Sequence, residues 1–311
     1  MGTETKRIAL IGVPMDAGAS QRGCCMGPAA YRVAGLAAEL AALGHAVEDR
    51  GDLVPEFADP PPDGRVTNLA AVAGWTRAIR KAVSGGFEDS RLPVLMGGDH
   101  SLAMGSVSAA AALAEAGGRP LFVLWLDAHS DINTPGSTPS GNLHGCPVAF
   151  FLGLEGFDGI LGAPVSPVVA PERVCMLGIR SVDRGEHDAL IARGIRVEDM
   201  RRIDEHGIER LLRPFLEDVA AAGGMLHVSL DVDFLDPGIA PAVGTTVPGG
   251  ATYREAHLVM EMVHESGLLT SLDLVELNPF LDMAGRTARL MVDLTGSLFG
   301  RRVMDRETPS S

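Results

Sequence analysis

Three short segments combine carboxylates and imidazoles at spacings suited to holding metal ions. Asp127-Ala128-His129-Ser130-Asp131 follows the apolar run Leu121 to Leu126. Asp231-Val232-Asp233 follows Leu226 to Leu230, and His100 follows Pro93 to Met96 across Gly97-Gly98-Asp99. In extended chain alternate side chains share a face, so Asp127, His129 and Asp131 are expected to point together, and Asp231 with Asp233. Four clustered aspartates repel one another strongly unless cations intervene. Two divalent ions balance their charge, and such a set with bridging carboxylates suits a pair ~3.5–4 Å apart. Oxygen ligands with some imidazole favour Mn2+, with Co2+, Fe2+ and Zn2+ remaining compatible. A lone Asp-x-Asp is ordinary turn chemistry. Three such segments, each behind an apolar run, are not, because burying those charges uncompensated is costly.

The elements that must position these groups are legible as punctuated apolar runs. Strands are expected over Arg7 to Val13, Pro93 to Met96, Leu121 to Leu126, Val174 to Ile179, Leu226 to Val232 and Leu269 to Leu277. Helices are expected over Pro28 to Leu43, Leu102 to Ala116, Glu186 to Arg193, Ile208 to Ala222 and Thr252 to His264. Thr252-Tyr253-Arg254-Glu255 has the spacing of a capping box. Pro214 predicts a kink or a later start in its helix. Pro55 to Gly64 reads as a surface loop, and residues 303–311 as a frayed tail. Strands apolar throughout, alternating with helices, indicate a mainly parallel sheet covered on both faces, an α/β fold. No internal repeat or linker stands out, so one domain over residues 1–311 is the simplest organisation. Ligands of such sheets bind at the carboxyl ends of the strands, where all three segments fall.

Composition narrows the function. With 46% hydrophobic and 21% charged residues, the 311-residue chain can bury a sizeable core. Its net charge of −14 and lack of a Lys/Arg cluster argue against nucleic acid as a partner. No long uncharged apolar stretch suggests a membrane span or a signal peptide, which points to the cytoplasm. Cys24, Cys25, Cys146 and Cys175 form no metal-knuckle spacing and read as reduced thiols.

The motifs Gly97-Gly98-Asp99-His100-Ser101, Asp127-Ala128-His129-Ser130-Asp131 and Ser229-Leu230-Asp231-Val232-Asp233 with Asp236-Pro237 resemble those of the ureohydrolase family, the arginases, agmatinases and their relatives. Gly23 to Pro28 and Gly249 to Glu255 extend the resemblance over nearly the whole chain. Asp131 to Pro135, continuing through Ser140-Gly141-Asn142-Leu143-His144-Gly145, places it closest to the arginase branch. The resemblance implies a parallel sheet of about eight strands between helices, a homo-oligomer (trimer or hexamer) and a pair of Mn2+ ions. It implies that His100, Asp127, Asp131 and Asp231 hold one ion and Asp127, His129, Asp231 and Asp233 the other. Phe234 departs from the small residue relatives often carry there, a change expected to narrow the local wall.

The implied reaction is hydrolysis of L-arginine to L-ornithine and urea. Water bridging two divalent ions ionises near neutral pH, and the hydroxide attacks the guanidinium carbon. Glu276, after the last strand, is the carboxylate expected to receive the cationic guanidinium. His144 is the expected proton shuttle, with Asp131 passing a proton to the leaving amine. Asn133, Thr138 and Ser140, assisted by Asn142, are expected to hold the substrate carboxylate. Asp183 and Glu186 receive its α-ammonium, and Thr245 lines the pocket. Asp183 and Glu186 also fit plain helix N-terminal charge. Two alternatives stand beside this reading: a ureohydrolase for another guanidino compound such as agmatine or guanidinobutyrate, and a metal-stabilised protein without turnover.

Overall fold

The computed structural model describes residues 5–56, 66–89, 91–158, 166–302 and 304. It contains strands β1 (Arg7–Gly12), β2 (Ala46–Asp52), β3 (Leu92–Met96), β4 (Leu121–Leu126), β5 (Val174–Ile179), β6 (Arg196–Asp199), β7 (Met225–Asp231) and β8 (Leu269–Val275). The helices are α1 (Gly27–Val33), α2 (Leu36–Ala42), α3 (Leu69–Glu88), α4 (Ala103–Ala116), α5 (Pro147–Phe151), α6 (Arg184–Arg193), α7 (Met200–His206), α8 (Ile208–Ala221), α9 (Tyr253–Ser266) and α10 (Arg286–Leu298). All eight strands form one parallel sheet, in the order β2-β1-β3-β8-β7-β4-β5-β6.

Alternate strand residues supply two separate cores. Leu124 and Leu126 of β4 pack with Val228 and Leu230 of β7 under α1, α2 and α7 to α10. Val123 and Trp125 pack on the other face with residues of α3 to α6. The sheet is thus covered on both sides, which is why its strands read as unbroken apolar runs. No described helix is long and apolar enough to cross a membrane.

Six strands stand close to where the sequence puts them. The two it does not reveal, β2 and β6, are the edges of the sheet. Their sequences, AVEDRGD and RVED, are charged, the first largely exposed and the second half-buried, because an edge strand lacks a second neighbour and sheds the apolar signal. The expected helix Pro28 to Leu43 is two helices. Gly35, at φ 90°, turns the chain between α1 and α2. α8 begins at Ile208 and runs through Pro214, so no delayed start occurs. The box predicted at Thr252 forms, with the Thr252 hydroxyl accepting from the Glu255 N–H and the Glu255 carboxylate accepting from the Thr252 N–H. Helices α3, α5, α7 and α10 were not anticipated. Of the loop expected over 55–64, residues 57–64 lie outside the described residues, as do 303 and 305–311 of the expected tail. All four cysteines are free thiols.

Candidate metal centre

The four middle strands, β3, β8, β7 and β4, deliver the chemistry at their carboxyl ends. The chain leaves β3 through Gly97 and Gly98, and Asp99 caps a short 3-10 turn at His100 by accepting from the Ser101 N–H. β7 ends on Asp231, whose Oδ1 accepts from the Asp233 N–H and winds the turn Val232–Phe234. β4 ends at Leu126, and the backbone reaches φ 50° at Asp131. Convergence therefore departs from the expected strand alternation. Asp233 is aimed by a 3-10 turn and Asp131 by left-handed backbone, a costly conformation for a residue bearing a Cβ. Glu276, one residue beyond β8, shares that conformation at φ 62°.

Two groups of donor atoms result, His100, Asp127 and Asp231, and Asp127, His129 and Asp233, each with its ligand atoms within 4.8 Å of one another. Asp127 belongs to both. His100 Nδ1 lies 3.0 Å from Asp127 Oδ2, 3.1 Å from Asp231 Oδ2 and 3.3 Å from Asp131 Oδ2. His129 Nδ1 lies 3.0 Å from Asp233 Oδ2 and 3.6 Å from Asp127 Oδ1. Asp231 falls in the first group alone, where the sequence reading had it bridging, and Asp131 reaches the cluster through His100.

The donor set fits metal ions on its own chemistry. His100 Nε2 is occupied by the Ser229 hydroxyl at 2.8 Å, which leaves Nδ1 as the ligand atom. That Nδ1 and Asp127 Oδ2 are fully buried without a hydrogen-bond partner. Burial, and then the charges of Asp233, Asp127 and Glu276, push the Asp231 carboxyl well above the usual carboxylate range. Burial followed by the Asp127 charge does the same to Asp131 and raises the Asp233 carboxyl above its ordinary value. Carboxylates crowded this way call for cations between them.

Beside the donors, Glu276 Oε1 accepts from the His100 backbone N–H at 2.8 Å and meets His144 Nδ1 at 3.0 Å. Burial pulls the imidazole of His144 down, but the hydrogen bond and charge of Glu276 outweigh it and hold its pKa above the ordinary value. The predicted shuttle and the predicted guanidinium carboxylate are thus direct partners.

A cavity of about 210 Å3 opens over these groups. It is lined by all six donors and by Asn133, Thr138, Ser140, His144, Asp183, Glu186, Thr245 and Glu276. Of the residues singled out in sequence, Asn142 alone stands apart: its Oδ1 accepts from the Ser20 hydroxyl, and it ties the loop instead of facing the cavity. Asp183 and Glu186 form a capping box at the start of α6, and Asp183 Oδ2 also accepts from Asn133 Nδ2 at 2.9 Å. The pair is therefore both helix cap and cavity wall. Phe234 does not narrow the pocket. It is fully buried in the core, where Gly178, at φ 96°, makes room for its ring.

Sequence reasoning missed several supports. Ser229 sits two residues before Asp231 on the same strand, a spacing that could have flagged it. Cys24, whose thiol donates to Glu276 Oε2 at 3.5 Å, and Arg180 carry no local signal. Ser181 and Pro139 line the cavity through loop geometry alone.

A parallel sheet carrying overlapping groups of buried carboxylate and imidazole donors at its carboxyl edge is the build of a metal-dependent hydrolase. Comparison with known proteins narrows that class. The model of the Arginase family matches residues 6–300. An arginase from Agrobacterium fabrum is 54% identical over 308 residues, covering 98% of this chain and 94% of its own. The crystal structure of the arginase from Bacillus caldovelox superposes with a TM-score of 0.90 at 42% identity, over 96% of this chain and 100% of its own. Proclavaminate amidino hydrolase from Streptomyces clavuligerus superposes at 0.68 with 26% identity, over 96% and 92%. The chain belongs to the Arginase family, and it is a hydrolase acting on amidines.

Proposed function

We propose that the protein hydrolyses L-arginine to L-ornithine and urea with two divalent ions, Mn2+ foremost. The observation that carries this reading is one cavity lined by two unlike sets of side chains. Acidic metal donors, Glu276 and His144 make up one set, and the polar loop residues Asn133, Thr138 and Ser140 with Asp183 and Glu186 the other. A guanidinium joined by a short apolar chain to an amino-acid head group has that polarity.

His100, Asp127, Asp131 and Asp231 would hold one ion, and Asp127, His129, Asp231 and Asp233 the other. Bound there, the ions supply Lewis-acid charge and lower the pKa of water toward neutrality. Glu276 meets the guanidinium, which stays cationic at any working pH, with charge-assisted hydrogen bonds. His144, with Nδ1 fixed by Glu276, keeps Nε2 as the atom that moves a proton to or from the cavity. Asp131 lies where it can pass a proton toward the departing amine. Asn133, Thr138 and Ser140 offer donors to the substrate carboxylate. The carboxylates of Asp183 and Glu186 attract the α-ammonium, directly or through water. Thr245, bonded to Asp233 Oδ2 at 3.2 Å, walls the guanidinium end.

Urea release from arginine, agmatine and guanidinobutyrate by Mn2+-loaded protein tests the reading. Arginine is expected to be the preferred substrate by kcat/KM. Agmatine turned over as well as arginine would move the assignment to another ureohydrolase, and metal-loaded protein releasing no urea from any of the three would refute turnover.

A further inference from the structure

Arg180 has no part in the reaction described, yet its guanidinium joins three chain segments beside the metal donors. Its Nη2 donates to the Asp233 carbonyl at 2.6 Å, the Val247 carbonyl at 2.7 Å and the Leu235 carbonyl at 3.4 Å. Nε donates to Val247 at 3.1 Å and Nη1 to Gly178 at 3.1 Å. The end of β5, the turn that carries Asp233 and the segment that carries Thr245 are therefore tied to one planar cation. The surroundings are shaped to admit it: a Cβ on Gly250 would lie 2.6 Å from Arg180 Nη2. Asp236 closes the same segment from the other side, accepting from the N–H groups of Gly249 and Gly250.

The segments so joined converge on a single metal donor. Asp233 Oδ2 faces His129 Nδ1 at 3.0 Å and accepts from Thr245, while Asp233 Oδ1 accepts from the Ala128 N–H at 3.0 Å. The hydrogen bonds of Arg180 go to neither His100, Asp127 nor Asp231.

We propose that Arg180 is a positioning residue for one of the two metal positions, the one built by His129 and Asp233, and that the position built on His100 stands without it. The inference rests on the two-ion reading above. The backbone of Asp233 is held at its own carbonyl, so the carboxylate keeps its aim on the ion. Lysine cannot replace this, because one ammonium does not reproduce a planar fork spanning three segments.

The test is titration of metal-free wild type, Arg180→Ala and Arg180→Lys with Mn2+, counting ions and affinities by calorimetry and following Mn–Mn spin coupling by electron paramagnetic resonance. Wild type is expected to bind two ions with a coupled spectrum. Arg180→Ala is expected to keep one ion at wild-type affinity, bind the second ~10–100-fold more weakly and lose the coupled signal at limiting metal. Arg180→Lys should fall between, nearer to alanine, and supplies the readout if the alanine variant does not fold. A folded variant that binds both ions as wild type does, or loses both equally, overturns the proposal. Wild type binding fewer than two ions would instead sink the two-ion reading before any variant is considered.

Discussion

The two donor groups share Asp127 yet sit in unlike surroundings. The His100 side chain is 1% exposed, its ring stacks on Trp125 at 4.0 Å, and its far nitrogen is fixed by Ser229 from the body of β7. The His129 side chain is 27% exposed, and its partner Asp233 stands on a turn held by loop contacts and Arg180. One position is framed by strands and packed rings, the other by the loops that also shape the substrate cavity. Rigid elements hold ligand geometry more tightly than loops. The sealed group is accordingly expected to be the structural anchor, and the open group the side from which an ion exchanges more readily.

The harshest way to break this asymmetry is to remove the residue both groups use. Asp127→Ala should abolish paired binding and lower kcat on the order of 10^3-fold, about 4 kcal/mol of lost transition-state stabilisation. Metal analysis and urea kinetics on the purified variant check it. A variant that retains two ions and most activity would mean that Asp127 is not the shared ligand.

Graded chelation separates the groups. Metal should leave in two phases, the faster from the His129–Asp233 side, and Asp233→Asn should erase that phase while His100→Asn perturbs the slower one. Full removal leaves the buried carboxylates facing one another. At an ion concentration near 100 times Kd, the lost linkage is ~2.7 kcal/mol per site, a fall in melting temperature of roughly 5 °C or more. Stopped-flow release with a coloured chelator, and melting with and without it, report both. Single-phase release would erase the distinction drawn here.

How much of this was visible in the sequence follows the same division. The strand-anchored parts were legible, because a buried parallel strand is an apolar run and a polar residue at its end is conspicuous. Leu121 to Leu126 followed by Asp127 is the plainest case. The loop-anchored parts were legible only as residue types. Asn142 was read as assisting the carboxylate contact, and its Oδ1 accepts from the Ser20 hydroxyl. The left-handed backbone that aims Asp131 and Glu276, and the reach of Arg180 to Val247, depend on segments distant in sequence, and no spacing encodes them. The edge strands were lost for the converse reason, as β2 and β6 carry charges where a buried strand carries leucine and valine.

The open side is also where selectivity is expected to arise. Asn133 donates to Asp183 and accepts from Ser137, so it lines the cavity and braces the part of the wall that Asp183 forms. Asn133→Ala should raise KM for arginine by about 10-fold, ~1.4 kcal/mol, with a smaller change for agmatine, which lacks the carboxylate. Equal losses for the two substrates would show that the residue shapes the loop without reading the carboxylate.

The smallest effect lies away from both groups and sharpens the comparison by fixing its background. His257, on α9, meets the Ser297 hydroxyl at 2.8 Å and Asp293 of α10 at 3.3 Å, with Tyr253, Arg254 and Glu261 nearby. Burial lowers its pKa below the ordinary 6.5, and the attraction of Asp293 recovers only part of the shift. The unfolded chain therefore takes up this proton before the folded one. The contribution of His257 to stability is complete above about pH 6.5 and is lost as pH falls from there toward the lower, folded-state value. In metal-free protein, His257→Gln should flatten the acid side of the stability–pH curve by a small amount and leave neutral stability within about 1 kcal/mol. Urea unfolding at pH 5.5 and 7.5 measures it. An unchanged acid slope in the variant would assign the whole acid response to the strand-end carboxylates and histidines, and the α9–α10 contact would drop out of the account.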